Sequence, residues 1–124
     1  MTADPRLILP LDLPSTAEVV VDNGLLDLSG LTQTVTNLSG GSSGEISIEG
    51  GALTVNQSDT TTFSGAITGS GSFTITGGGV IDLAGANTYS GGTTVSAGTL
   101  TGTTTSLQGN ILNNAAVVFD QGTN

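Results

Sequence analysis

The side chains of this chain that could do chemistry are few, and nearly all of them are acidic. Ten residues are Asp or Glu, Arg6 is the single basic residue, and His, Cys, Lys and Trp are absent. A Ser-His-Asp triad, a histidine metal centre and a lysine Schiff base are therefore excluded. The formal net charge of -9 argues against nucleic acid and anionic membrane surfaces as partners, because both would repel the chain. No apolar run approaches the roughly 20 residues of a membrane span, so we expect no direct membrane insertion.

A pair of carboxylates, as in glycosidases, is the catalytic option that remains. The candidates are Asp82 with Glu45 or Glu49. Such a pair needs a cleft with aromatic or basic residues that hold the sugar, and only Tyr89 and Arg6 could supply them. A single imperfect match to the GGxGxD pattern of calcium-binding β-rolls is too little for a metal site. We therefore predict no catalytic, cofactor or metal site and no enzymatic activity.

Internal repeats organise this sequence, so the repeated units are expected to position any functional residues. A unit Gly-x-apolar-x-apolar begins at Gly24, Gly44, Gly51, Gly71 and Gly79, with a degenerate copy at Gly98. The copies are separated by a shorter interval, as from Gly24 to Gly44, or by a longer one, as from Gly44 to Gly71. Recurring intervals of this size are typical of solenoid proteins.

Each unit alternates apolar and polar residues, which is the period of a strand with one buried face. The apolar members are predicted to point inward: Ile46, Ile48, Leu53, Val55, Phe73, Ile75, Ile81 and Leu83. The polar members are predicted to point outward: Glu45, Ser47, Thr54, Thr74 and Asp82. The inward residues are mostly mid-sized aliphatics and only 3% of residues are aromatic, which favours a narrow solenoid core over a sandwich.

The sequence thus predicts an all-β fold, a parallel β-helix of about four or five coils with roughly 20 to 27 residues each. Residues 17–124 form the solenoid, with a last strand at Ala116–Phe119, and residues 1–16 form a Pro/Leu-rich cap or arm. Prolines restrict this N-terminal segment to an edge strand. It is predicted to cap the first coil, to join a neighbouring molecule by β-augmentation or to be a flexible tail. Its candidate assembly or cap residues are Leu7, Leu9, Leu11 and Leu13.

Residues 69–100 resemble the autotransporter passenger-associated β-strand repeat. The motif residues that carry the resemblance are Gly85, Asn87, Tyr89, Gly91, Gly92, Val95, Gly98 and Leu100. The resemblance implies a right-handed parallel β-helix, export through the outer membrane, an extracellular or bacterial cell-surface location, and a surface or adhesive role. From the residues themselves, Asn87 is expected to form a corner by bonding its own backbone, and Tyr89 is expected to pack over a coil edge.

The sequence is compatible with three functions. The first is a non-catalytic structural segment of a secreted bacterial surface protein, an autotransporter passenger or adhesin, with a host or cell-surface ligand. The second is a self-assembling subunit whose solenoid ends stack into extracellular filaments as a homo-oligomer. The third is a glycan- or ice-binding surface, suggested by alternating threonines at residues 32–36 and 99–103. These two triplets are not expected to be in register across coils, and outward Thr is favourable on any exposed strand.

Overall fold

The computed structural model describes residues 6–8, 18–28, 30–103, 107 and 110–119. This part of the chain is organised as short strands and the segments that connect them. The strands are β1 (Arg6–Ile8), β2 (Glu18–Val20), β3 (Asn23–Asp27), β4 (Thr32–Ser39), β5 (Ser43–Ser47), β6 (Ala52–Asn56), β7 (Thr60–Phe63), β8 (Ala66–Thr68), β9 (Ser72–Thr76), β10 (Val80–Leu83), β11 (Thr93–Val95), β12 (Thr99–Gly102), β13 (Ile111–Asn113) and β14 (Ala116–Phe119). Within the described ranges, no helix is long and apolar enough to cross a membrane.

The strands pair in parallel and form three sheets along the solenoid. Sheet A has the strand order β13-β11-β9-β6-β4-β2, sheet B has β1-β3-β5-β8, and sheet C has β14-β12-β10-β7. Each sheet provides one side of the coils, and the coils stack into about five turns. The predicted all-β solenoid of parallel strands is confirmed, as is the predicted last strand, which is β14.

The strand register sets the length of a coil. In sheet A, Thr32 pairs with Ala52 and Ala52 pairs with Ser72, so a coil here has the length of the shorter interval found in the sequence. The longer interval, from Gly44 to Gly71, has a different origin. Gly44 lies in β5 of sheet B, whereas Gly71 precedes β9 of sheet A, so this interval spans one full coil and one further side.

The core is a set of apolar columns that run through the coils. All eight residues predicted to point inward are buried, and the five predicted to point outward are partly exposed. Leu26, Ile46 and Ile67, for example, are register partners in successive strands of sheet B. Burial of one such side chain contributes about 1.5–3 kcal/mol, so the stacked columns supply the main stabilisation of the fold.

At the corner where the chain enters sheet A, the backbones of successive coils come into close contact. Gly51, Gly71 and Gly91 stack there, and the Gly91 N–H donates to the Gly71 carbonyl at 2.8 Å. A Cβ built on Gly71 would overlap the carbonyl oxygens of Gly51 and Ile48. This corner therefore accepts only glycine without a shift of the backbone.

The N-terminal segment meets the solenoid through β1. This strand lies at the end of sheet B, and its Leu7 is the register partner of Leu26 in β3. Leu9, Leu11 and Leu13 lie outside the described residues. The cap-or-arm role of residues 1–16 therefore stays a prediction.

Candidate functional site

Residues 84–92, here called the motif segment, follow β10 and occupy the sheet B side of their coil without forming a strand. Their backbone N–H groups nevertheless bond to the coil that contains β8. Ala84 donates to the Phe63 carbonyl at 3.0 Å, and Thr88 donates to the Ile67 carbonyl at 2.9 Å. The motif segment therefore covers the edge of β8 and ends the strand ladder of sheet B at that level.

Asn87 supplies one bond of this ladder from its side chain. The buried backbone N–H of Ile67 donates to Asn87 Oδ1 at 2.8 Å, across 20 residues of sequence. Both polar groups of the Ile67 backbone are thus satisfied by the motif segment, the carbonyl by Thr88 and the N–H by Asn87. The bond found here joins two coils, and the predicted bond of Asn87 to its own backbone stays a prediction. An unsatisfied N–H at this depth would cost about 1–3 kcal/mol.

Tyr89 lies in the core on the same segment. Its ring is tilted by 49° against the ring of Phe73, with 5.9 Å between the centroids. Its hydroxyl is 2.6 Å from Thr93 Oγ1, and both side chains are buried. Thr93 belongs to β11 of sheet A, so this contact connects the end of sheet B to the continuing sheet A. Tyr89 is therefore a packing residue, with its polar end paired inside the core.

The remaining motif residues shape the path of the chain around this core. Val95 and Leu100 are buried in β11 and β12. A Cβ on Gly85 would overlap the Gly65 carbonyl oxygen of the preceding coil. Gly92 and Gly98 have φ angles of 97° and 74° and stand before β11 and β12, where the chain turns into sheets A and C.

The acids considered for catalysis lie on different sides of the solenoid. Asp82 is in β10 of sheet C, Glu45 is in β5 of sheet B, and Glu49 is in the turn after β5. Glu45 accepts a hydrogen bond from Thr68 at 3.1 Å, and Glu49 accepts one from Ser70 at 3.0 Å. The structure does not bring Asp82 and the two Glu residues onto one face. In the described part of the chain, no group of three or more His, Cys, Asp or Glu residues is placed to hold a metal ion.

A polar corner around the buried side chain of Asn37 was not foreseen from the sequence. Asn37 Nδ2 donates to Glu18 Oε2 and to Asp59 Oδ2, each at 3.2 Å, while its Oδ1 accepts from the Ser58 N–H at 2.8 Å. Glu18, Asn37 and Asp59 lie at the same corner in successive coils, so this residue connects three levels of the stack. Its φ of 55° is in the left-handed region that Asn tolerates better than most residues. In the sequence, Glu18, Asn37 and Asp59 are separated by about one coil each, and this spacing is the only feature from which the corner could have been predicted.

Comparison with known protein families agrees with this geometry. Residues 73–101 match the family model described as passenger-associated-transport-repeat, a stretch that contains the whole motif segment. The resemblance inferred for residues 69–100 is thereby confirmed. The search of curated proteins and the search of solved structures each found no match. A repeat of this family on a β-solenoid fits an autotransporter passenger segment and implies a secreted or cell-surface protein.

Proposed function

We propose that this chain is a non-catalytic structural segment of a secreted bacterial surface protein, the solenoid part of an autotransporter passenger. The observation that carries the proposal is the passenger-repeat match at residues 73–101 on stacked coils of a parallel β-solenoid. In this role the solenoid is a spacer that holds other parts of the passenger away from the cell surface. The motif segment keeps the coils in register while one of the three sheets ends.

The composition supports export of this kind. The chain has no Cys, so it cannot be trapped by a disulfide before it crosses a membrane unfolded. Each coil rests on the preceding one through main-chain bonds and buried columns, so the fold can grow coil by coil. Both properties suit a segment that folds after translocation.

Surface display tests this proposal. The chain is fused between an export signal and a translocating outer-membrane β-barrel, and its accessibility to protease is measured on intact bacterial cells. We expect display of the wild-type chain and reduced display of the variant Asn87→Ala/Tyr89→Ala, because that variant loses the two buried contacts of the motif segment. Asn113→Ala is the matched control, since Asn113 is an exposed asparagine of β13 and its loss leaves the core unchanged.

Retention of the wild-type chain inside the cell would contradict the proposal if the same barrel displays an unrelated passenger. Equal display of the motif variant and Asn113→Ala would show that the motif segment is dispensable for export.

We also propose that the solenoid associates with a second copy through the coil that contains β13 and β14. Leu112, Val118 and Phe119 are large apolar side chains with exposures of 58%, 47% and 54%. They belong to β13 and β14, which are the end strands of sheets A and C in the described part of the chain. Unpaired strand edges with exposed apolar groups recruit further strands.

The mass of the chain in solution tests this second proposal. Light scattering over a range of concentrations should give a rising mass for the wild-type chain and a monomer mass for Phe119→Ser. Val80→Asn is the control, because Val80 is a partly exposed apolar residue in the middle of sheet C. A wild-type chain that stays monomeric throughout would contradict the proposal.

A further inference from the structure

The outer face of sheet A carries a straight column of threonines. Thr34, Thr54, Thr74 and Thr94 are register partners in four successive strands, and each lies one coil after the one before it. Each is partly exposed and lies between two buried neighbours, so all four point outward. The triplet at residues 32–36 lies in β4 of sheet A, whereas Thr99 and Thr101 lie in β12 of sheet C and Thr103 follows that strand, so the two triplets are not in register, as expected from the sequence. The threonine column therefore runs perpendicular to the strands. It cannot be recognised from the residue pattern along any single strand.

Two flanking columns widen this surface. On one side of the threonine column stack Thr32, Ala52 and Ser72. On the other side stack Thr36, Asn56 and Thr76. We call the outward positions of β4, β6, β9 and β11 the threonine face. Its side chains are small and uncharged, and all except Ala52 carry a hydroxyl or an amide group.

The threonine face is free of charge in a chain whose net charge is -9. Among the described residues, the acids lie on the other sides or in the turns: Asp27 and Glu45 are in sheet B, and Asp82 is in sheet C. Glu18 of β2 is the one acid in the described strands of sheet A. It is exposed and is the register partner of Thr36, so it borders the face at the β2 edge, where Asn37 donates to its carboxylate. A partner that lies against β6, β9 and β11 therefore meets no ionised side chain of these strands and need not itself be charged.

The face is also regular and stiff. Parallel strands are about 4.8 Å apart, and alternate residues along a strand are about 6.7 Å apart, so the outward side chains form a two-dimensional grid. Its central column has a hydroxyl and a methyl group at every position. Thr has a restricted χ1 angle because its Cβ is branched, so little side-chain entropy is lost when the grid is ordered. Both repeats are close to the spacings of oxygen atoms on the prism face of hexagonal ice.

We propose that the threonine face binds ice. Hydroxyl groups at these spacings anchor water molecules in an ice-like arrangement, and the intervening methyl groups fit between them. The proposal goes beyond the passenger role and does not depend on it, because it rests on the register and charge of sheet A alone. The described portion of the chain offers no second face with an uncharged column of identical residues over four coils.

Crystalline polysaccharide is the other flat lattice to be considered. Its sugar rings are held by aromatic side chains, whose flat apolar faces cover the ring. The threonine face contains no aromatic residue, and Phe63, Phe73 and Tyr89 are buried in the core. The observations therefore favour ice.

Thermal hysteresis and inhibition of ice recrystallisation test the proposal on the purified full chain. We expect both activities in the wild-type chain and their loss in Thr74→Tyr, because a bulky ring in the central column holds the grid away from the ice. The matched control is Thr101→Tyr, the same change at a partly exposed threonine of sheet C, where Asp82 is the register partner. Thr54→Ser provides a variant that cannot clash, and it should reduce activity because it removes the methyl group and the restriction of χ1.

Three results would overturn the proposal. The first is a folded wild-type chain without thermal hysteresis or inhibition of recrystallisation. The second is an equal loss of activity in Thr101→Tyr and Thr74→Tyr, which would place the activity elsewhere. The third is binding to crystalline cellulose or chitin without activity on ice, which would assign the face to polysaccharide.

Discussion

Sheets A and B are two sides of the same coils, but they extend over different lengths of the solenoid. Sheet A continues through β9, β11 and β13, whereas among the described residues the last strand of sheet B is β8, and the motif segment occupies that side of the next coil. In sheet A the central steps, from β4 to β6, from β6 to β9 and from β9 to β11, are equal in length, whereas the end steps, from Glu18 to Thr36 and from Thr93 to Ile111, are shorter. In sheet B the step from Glu45 to Ala66 is one residue longer than the step from Leu25 to Glu45. The coil length is therefore constant only in the central coils, and it changes by one or two residues elsewhere in both sheets.

The two sides also satisfy their backbones by different means. In sheet A the main chain of each strand bonds to the next strand, and the glycine corner at Gly71 allows the close contact between coils. At the end of sheet B a side chain, Asn87, replaces one of these main-chain bonds. One side of a coil can thus leave strand geometry without leaving buried polar groups unpaired. The stability of sheet A should depend on the close contact between the backbones of neighbouring coils. The stability at the end of sheet B should depend on a few side chains.

The largest effect is expected from the glycine corner of sheet A. Gly71→Ala should lower the free energy of unfolding by about 3 kcal/mol, because the added Cβ overlaps two backbone carbonyls and the coils must move apart. Gly78→Ala is the control, since a Cβ there meets no atom within 4 Å and Gly78 does not have a positive φ that would strain an alanine. Its effect should stay below about 1 kcal/mol in either direction. Urea unfolding measures both, and equal effects at the two glycines would contradict a backbone-limited sheet A.

A smaller effect is expected at the end of sheet B. Asn87→Ala should lower the free energy of unfolding by about 2 kcal/mol, because the buried Ile67 N–H loses its acceptor. The control is Asn113→Ala, which also removes an acceptor of a backbone N–H, that of Ala115, but in an exposed position. Water replaces that acceptor, so its cost should be about 0.5 kcal/mol.

Amide hydrogen exchange shows whether the effect of Asn87→Ala is local. Exchange at Ile67 should become faster than at Ile46, its register partner in β5, if Asn87 is what protects the edge of β8. Unchanged protection at Ile67 would contradict the role given to the Asn87 side chain.

The contrast between the sheets also explains what the sequence could and could not predict. Alternation is a local property, so it correctly placed residues such as Ile46 and Phe73 inside the core. The sheet to which each strand belongs is not local, because the same Gly-x-apolar-x-apolar pattern occurs on all three sides, and the sequence alone could not show which of the two intervals was the coil. The bond from Ile67 to Asn87 depends on that coil length. The residues around Asn87 predicted a turn there, but the Asn87 side chain accepts a hydrogen bond from the Ile67 N–H, which is one coil away.

The contact that joins the end of sheet B to sheet A is expected to have the smallest effect. Tyr89→Phe and Thr93→Val should each lower the free energy of unfolding by about 1 kcal/mol, because each removes one partner of a buried hydroxyl pair at 2.6 Å. The double variant should cost little more than either single variant, which corresponds to a coupling of about 1 kcal/mol. Urea unfolding of the four proteins in this double-mutant cycle measures the coupling. Additive effects would mean that the two hydroxyl groups contribute independently, and that the connection between the two sheets depends on packing such as the contact between the Tyr89 and Phe73 rings.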